Sequence, residues 1–223
     1  MTNLMLVLAL SLSSVLVVPV VPVVSNDDRL KDAEEVLTEM AGTDDAGIPK
    51  SLIQKAECVV VVPGLKKVAL GIGGQYGKGY VSCRRDGSWS APGALKVEGG
   101  SFGLQIGASS TDVILLVMNQ KGIDRLLSNQ FKVGADAAVA AGPIGREASA
   151  QTDISMRAEM LAWSRSRGAY AGIALQGSTI RQDSDENKEL YGREITNKEI
   201  VMGKIAAPPA AAGFLAALAK FRG

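Results

Sequence analysis

Between Cys58 and Asn119 the chain is a succession of short apolar runs punctuated by glycine: "CVVVV", "KKVALGIGG", "KGYVSCRR", "GSFGLQIGAS" and "DVILLVMN". Runs of this kind read as strands, and a glycine inside a strand marks tight curvature, a bulge or a close backbone approach. The densest stretch, "GIGGQYGKGY" at residues 71–80, also has the composition of a loop that wraps phosphate. The two readings separate on spacing. A P-loop needs a glycine where Ile72 stands and a serine or threonine where Gly79 stands. The dinucleotide fingerprint needs a glycine at Tyr76 and a helix afterwards, whereas "YVSC" continues as a strand. Both motifs fail, so these glycines belong to the architecture.

The catalytic readings fail on chemistry. Gly99, Ser101 and Gly103 spell the G-x-S-x-G nucleophile elbow, but such a serine needs a base and the chain contains no histidine. Phe102, Leu104 and Ile106 alternate with Gly103, Gln105 and Gly107, the pattern of a half-buried strand and not of a turn into a helix. With no histidine and two cysteines, no metal site is expected, nor is any cofactor. Cys58 and Cys83 lie in apolar strand-like segments. They are a candidate disulfide in an oxidising compartment, or two buried thiols acting as small core hydrophobes. Lys and Arg number 24 against 23 Asp and Glu, so no overall field favours nucleic acid.

Residues 1–25 stand apart. "LMLVLALSLSSVLVVPVVPVVS" carries no charge, and Pro19 and Pro22 limit a continuous helix to about fifteen residues, short of the ~20 that span a bilayer. The segment reads as a signal peptide, with an N-terminal anchor as the alternative. A secreted or periplasmic location follows. After it, Leu30, Ala33, Leu37 and Met40 share one helical face, predicting a helix over about 28–40, and "IPKSLIQKAE" a short second one. Asp86-Gly87 predicts a tight hairpin. "QKGIDRLLSN", "SDENKELYG" and "NKEIVMG" read as helices, and "FKVGADAAVAAG", "LAWSRSRG" and "AYAGIALQGS" as strands. The expected fold class is α+β: one domain, 26–203, with a mainly antiparallel glycine-rich sheet and short flanking helices. Residues 204–223 read as a Pro/Ala-rich linker and a short amphipathic tail.

The segments "IPKSLIQKA", "GIGGQYGKGYVS", "DGSWSAP", "AGPIGR", "SRSRGAYAGIALQGS" and Tyr191-Gly192 occur in an order that resembles the SYLF domain family. These are lipid-binding domains of bacterial envelope proteins and of eukaryotic actin-patch and phosphoinositide-binding proteins. The resemblance runs from about Ile48 to Gly203. It implies a strongly bent sheet, no catalytic centre, and binding to acidic lipid through a basic surface; some eukaryotic relatives also bind actin. Eukaryotic members use a basic amphipathic N-terminal helix, whereas residues 26–40 here hold six acids against Arg29 and Lys31. An exported chain would meet no actin, so the expected partner is anionic phospholipid at a membrane surface or, alternatively, an envelope protein.

Charge placement nominates the contacts. Lys66, Lys67, Lys78, Arg84, Arg85, Arg165 and Arg167 flank predicted turns and would form a basic rim if those turns share one end of the sheet, at about 1 kcal/mol per cation. Phe214, Leu215, Leu218 and Phe221 form an apolar helical face in the tail, a candidate membrane-inserting element that could equally pack on the domain or stay disordered. Trp89 is either an interfacial anchor or part of the core.

Overall fold

A computed structural model describes residues 25–42, 47–144, 158–166, 169–173 and 175–221, with backbone alone for 26, 42, 69–72 and 101–106. The expected short strands merge. β1 runs unbroken over Cys58–Arg85 and β3 over Gly93–Val117, joined through β2 (Ser88–Trp89). β1 and β3 pair antiparallel from Cys58↔Val117 to Val81↔Gly93, with register shifts at Val62/Leu65 and Leu70/Ile72. The glycines bend these strands instead of ending them.

The curvature is extreme. A strand the length of β1 would extend about 90 Å if straight, yet the Cα atoms of Cys58 and Cys83, near its two ends, are 3.9 Å apart and the two residues are disulfide-bonded. Arg84 N donates to Glu57 O at 2.7 Å, closing the ring through the backbone. Such closure needs glycine where the strand crosses itself. A Cβ at Gly79 would lie 2.1 Å from Val61 O, and one at Gly77 would lie 2.8 Å from Val62 and Leu65 side-chain atoms.

β3 is shared along its length. Residues 112–117 pair with β6 (Met160–Ser166), and residues 95–99 pair with β8 (Ser178–Gln182). β4 (Gln130–Lys132) lies beside β8, β7 (Ala169–Gly172) beside β6, and β5 (Val139–Ala141) runs parallel to β6. The Asp86-Gly87 turn takes left-handed backbone at both residues, φ 49° and 79°, as a two-residue hairpin requires.

Strand alternation divides the apolar residues between two cores. Val60, Val62, Val81, Leu95, Val97, Leu115 and Val117 fill the inside of the curl with the disulfide. Val59, Val61, Tyr80, Ile114 and Leu116 face outward and are covered by helices. A run buried on both faces needs no polar alternation, which is why "CVVVV" is uniformly apolar.

Helix α1 (Asn26–Gly42) lays Leu30, Ala33, Leu37 and Met40 on the outer core. α2 is Lys50–Lys55 and α3 Gln120–Leu126, the latter capped by Asn119. α4 (Ser184–Tyr191) starts on the Asp183 cap and ends at Gly192, φ 67°; α5 (Asn197–Met202) opens with a Thr196–Glu199 capping box.

The C-terminal segment corrects an expectation. Residues 204–221 do not form a separate linker and free tail: α6 (Ala212–Ala219) packs on α1, and Phe214, Leu218 and Phe221 are buried. Each such side chain contributes about 1.5–3 kcal/mol by leaving water. The apolar face that suggested insertion into lipid is already occupied by the domain, so the structured unit extends through residue 221. Among the described residues, no helix is long and apolar enough to cross a membrane.

Candidate functional site

The predicted basic rim does not assemble. Lys78 turns inward: its Nζ lies 2.8 Å from Asp183 and 3.1 Å from Glu186, both almost fully buried. Glu186 also accepts from Arg29 at 2.6 Å and from the Tyr80 hydroxyl at 2.5 Å, while Lys96 lies 3.4 Å from Asp183. This hub ties α1, β1, β3 and α4 together. Burial opposes ionisation of Asp183, but Lys78, Lys96 and the Glu186 backbone N–H outweigh it and hold its pKa below the ordinary value. Burial likewise opposes the Lys78 charge, and the two carboxylates overcome it, raising its pKa. The Tyr80 phenol is pushed up by burial and by the adjacent Glu186.

Arg165 is also engaged, 2.7 Å from Asp112 and paired with Glu39 of α1. Arg84 is structural: its guanidinium donates to the carbonyls of Ile53, Ala56 and Phe221 at 2.9–3.3 Å, and stacks 4.4 Å over Trp89. Trp89 is a core residue, donating to Leu218 O at 2.9 Å. Lys66 and Lys67 sit opposite Ser110 and Ser109, about 25 Å along the strand from Cys58 and the Arg84–Arg85 end. Arg167 lies outside the described residues. Among the nominated cations that are described, Lys66 and Arg85 alone are exposed, and they belong to different parts of the sheet.

A cleft of about 650 Å³ lies between the first turn of α1, α4 and the bend of β1. Three cations line it, and it brings Lys66 and Lys78 of the nominated set together; Arg29 and Lys78 are neutralised from behind by Glu186 and Asp183, and Asp32 and Glu189 on its walls offset Lys66, so it offers no net attraction for an anion. The catalytic motifs meet the same outcome in three dimensions. Gly99, Ser101 and Gly103 all lie within β3, and residues 71–80 all lie within β1; neither opens a helix. Among the described residues no group of His, Cys, Asp or Glu is arranged to hold a metal.

A basic face forms elsewhere. Arg84 draws the ends of α2 and α6 to the β1–β2 turn, and Arg85 reaches Met202 O at the end of α5. Around this junction Lys50, Lys55, Arg85, Lys204 and Lys220 are exposed. Among the described residues Lys55, Arg85, Lys204 and Lys220 have no carboxylate partner, whereas Lys78, Lys96, Arg29, Arg165, Arg181 and Lys188 are ion-paired. Among the described residues, Glu57 and Asp86 are acids of the same junction. A notch of about 220 Å³ opens in this face, lined by Ala41, Lys50, Gln54, Lys220 and Phe221. Sequence reasoning missed four of these five cations because they come from separate segments. The available signal was the placement of Lys55 and Lys220 at helix C-terminal ends, where cations are favoured.

Residues 98–221 match the family described as Ysc84, Las17-binding protein actin regulator. An SH3 domain-containing protein of Schizosaccharomyces pombe is 34% identical over 168 residues, covering 74% of this chain and 39% of that protein. Protein YSC84 of Saccharomyces cerevisiae is 31% identical over 171 residues, 75% of this chain and 36% of that protein. The SH3 domain-containing YSC84-like protein 1 of Mus musculus is 28% identical over 195 residues, 84% of this chain and 57% of that protein. The chain therefore spans between about a third and three fifths of the curated relatives it matches. The family match, the glycine-dependent curl of the sheet and the order of its motifs agree: the chain belongs to the Ysc84/SYLF family.

Proposed function

We propose that this protein is a non-enzymatic binding module that attaches peripherally to anionic phospholipid through the face formed by Lys55, Arg85, Lys204 and Lys220. The observation that carries this is a cluster of cations from separate segments around the Arg84 junction. Arg29, Lys78, Lys96 and Arg165 of the predicted rim and the hub are held by carboxylates, whereas Lys55, Arg85, Lys204 and Lys220 are exposed at this junction and have no carboxylate partner among the described residues. Each contributes about 1 kcal/mol beside an anionic surface, enough together for reversible attachment. The Cys58–Cys83 bond suits an oxidising compartment, in keeping with an exported protein of the cell envelope whose apolar leader directs it there.

Co-sedimentation of the full chain with phosphatidylcholine vesicles, with and without phosphatidylglycerol, tests this reading. Binding is expected only with the anionic lipid and is lost in high salt, where the screening length falls from ~10 Å to ~3 Å. The variant Lys55→Glu/Arg85→Glu/Lys220→Glu is expected to stay in the supernatant. Equal binding by that variant would overturn the assignment of the face.

A second reading follows from the family's description as Las17-binding: the same face docks an acidic protein. Salt-sensitive capture by an acidic polypeptide, with no vesicle binding, would favour it.

A further inference from the structure

We infer that the cleft between α1, α4 and the bend of β1 is a site for a phosphoethanolamine group, its phosphodiester held by Lys66 and Ser110 and its ammonium by Asp32 and Glu189. The site is separate from the basic face at the Arg84 junction and does not depend on it.

The chain's path gives this cleft two walls of different charge. Lys66 and Ser110 are directly opposed in the β1–β3 ladder, so their side chains leave the sheet on one face. Asp32 lies one helical turn from Arg29 on α1, and Glu189 one turn from Glu186 on α4. The hub joins Arg29 to Glu186 and thereby sets the two acids together on the helical wall. Lys66, Ser110, Asp32 and Glu189 are all exposed, and among the described residues none of their side chains has a hydrogen-bond or ion-pair partner. Residues 1–24, which precede Ser25 at the cleft, and residues 69–72 contain no Asp, Glu, Lys or Arg, so neither stretch carries a counter-charge of its own.

Charge defines the ligand. The other lining cations, Arg29 and Lys78, are matched by Glu186 and Asp183, and Lys96 shares Asp183. The hub thus holds one cation in excess and the open walls one acid in excess, so a ligand of zero net charge meets no bias. An anion alone would satisfy Lys66 and face two carboxylates. An amine alone would leave Lys66 unmatched. A zwitterion answers both walls. Its cation is a primary ammonium, whose three N–H donors suit two carboxylates, whereas trimethylammonium has none to give. Tyr76, 47% exposed at the cleft, is a single ring, short of the aromatic cage that takes quaternary ammonium, and covers the ethylene carbons instead. The volume of about 650 Å³ falls within the ~300–1,000 Å³ of ordinary ligand pockets and admits the headgroup with its glycerol.

Two arms test the site and distinguish a soluble from a lipid source. Glycerophosphoethanolamine is titrated into the full chain while backbone amides are followed by NMR. Shifts at Asp32, Lys66, Ser110 and Glu189 are expected; none at these residues overturns the site. Glycerophosphocholine, glycerophosphoglycerol and ethanolamine should each bind roughly tenfold more weakly, and equal binding by any of them overturns the assignment. Asp32→Asn/Glu189→Gln should weaken glycerophosphoethanolamine about tenfold and strengthen glycerophosphoglycerol, a reversal that unfolding cannot mimic. An unchanged preference in that variant overturns the role of the helical wall. Lys66→Ala should weaken both diesters. In the second arm, phosphatidylcholine vesicles with and without phosphatidylethanolamine are sedimented with the full chain. Both are neutral, so the basic face contributes nothing to the difference. Extra binding with phosphatidylethanolamine, lost in Asp32→Asn/Glu189→Gln, assigns the group to the lipid; its absence beside positive titration shifts assigns it to the soluble diester. Failure to bind phosphatidylglycerol vesicles would remove the basic-face reading and leave the titration result standing.

Discussion

Lys78 and Asp183 meet at 2.8 Å on opposite sides of a hub whose carboxylates are shut off from water. A lysine that looks like a surface cation in "YGKGY" is thus an internal strut joining the curled strand to the start of α4. Lys78→Met is expected to cost about 2 kcal/mol, less than the ~3–5 of an isolated buried pair because Lys96 still attends Asp183. Urea unfolding measures this. Binding to anionic vesicles should be unchanged, which separates the hub from the basic face.

The same hub sets the acid limit of stability. Asp183 has a depressed pKa in the folded state, so its contribution is complete above the ordinary carboxylate value, ~3.9, and is lost as pH falls through the lower folded value. Stability measured against pH should fall below about pH 4, and less steeply in Asp183→Asn, which starts from a lower plateau.

Gly79 carries the closure of β1. Gly79→Ala places a methyl group 2.1 Å from the Val61 carbonyl oxygen and 2.8 Å from Val62 Cα, backbone that cannot turn aside, and is expected to cost at least about 3 kcal/mol. Gly74→Ala, whose nearest contact is the Gly99 carbonyl at 3.9 Å, should stay within about 1 kcal/mol. Thermal denaturation of the pair tests whether close approach, and not glycine content, builds the bend.

The disulfide closes a loop between residues 25 apart in sequence. Cys58→Ala/Cys83→Ala should lose about 3.5 kcal/mol if the gain comes from restricting the unfolded chain. Urea unfolding with and without a reductant should show the reduced wild type approaching the variant, and thiol titration of the denatured, unreduced protein should find no free cysteine.

Phe214 lies against Tyr80 with ring centroids 6.2 Å apart and is fully buried. Phe214→Ala is expected to cost about 3–5 kcal/mol. Ending the chain at Gly203 should expose the outer core and lead to aggregation. A free lipid-seeking tail would instead leave stability untouched and reduce vesicle binding, so sedimentation and unfolding together decide its role.

Local order was legible in the sequence wherever it rests on neighbours along the chain. The periodicity of Leu30, Ala33, Leu37 and Met40, the Asp86-Gly87 hairpin, the α+β class and the structural role of the glycines all follow from 3.6- or 2-residue repeats and from backbone sterics. The failure of the nucleotide and hydrolase motifs was equally legible, since it depends on spacing and on the absence of histidine. Tertiary structure decided what charge and apolarity do at a distance. Whether Lys78 and Arg165 face water or a carboxylate depends on Asp183, Glu186 and Asp112, which only folding brings near them. Whether Phe214 meets lipid or core depends on α1 leaving a surface for it. The basic face exists because Arg84 gathers the carbonyl ends of separate segments. Local patterns are set by covalent neighbours, whereas the environment of an ion or a ring is set by whatever the chain's path puts beside it.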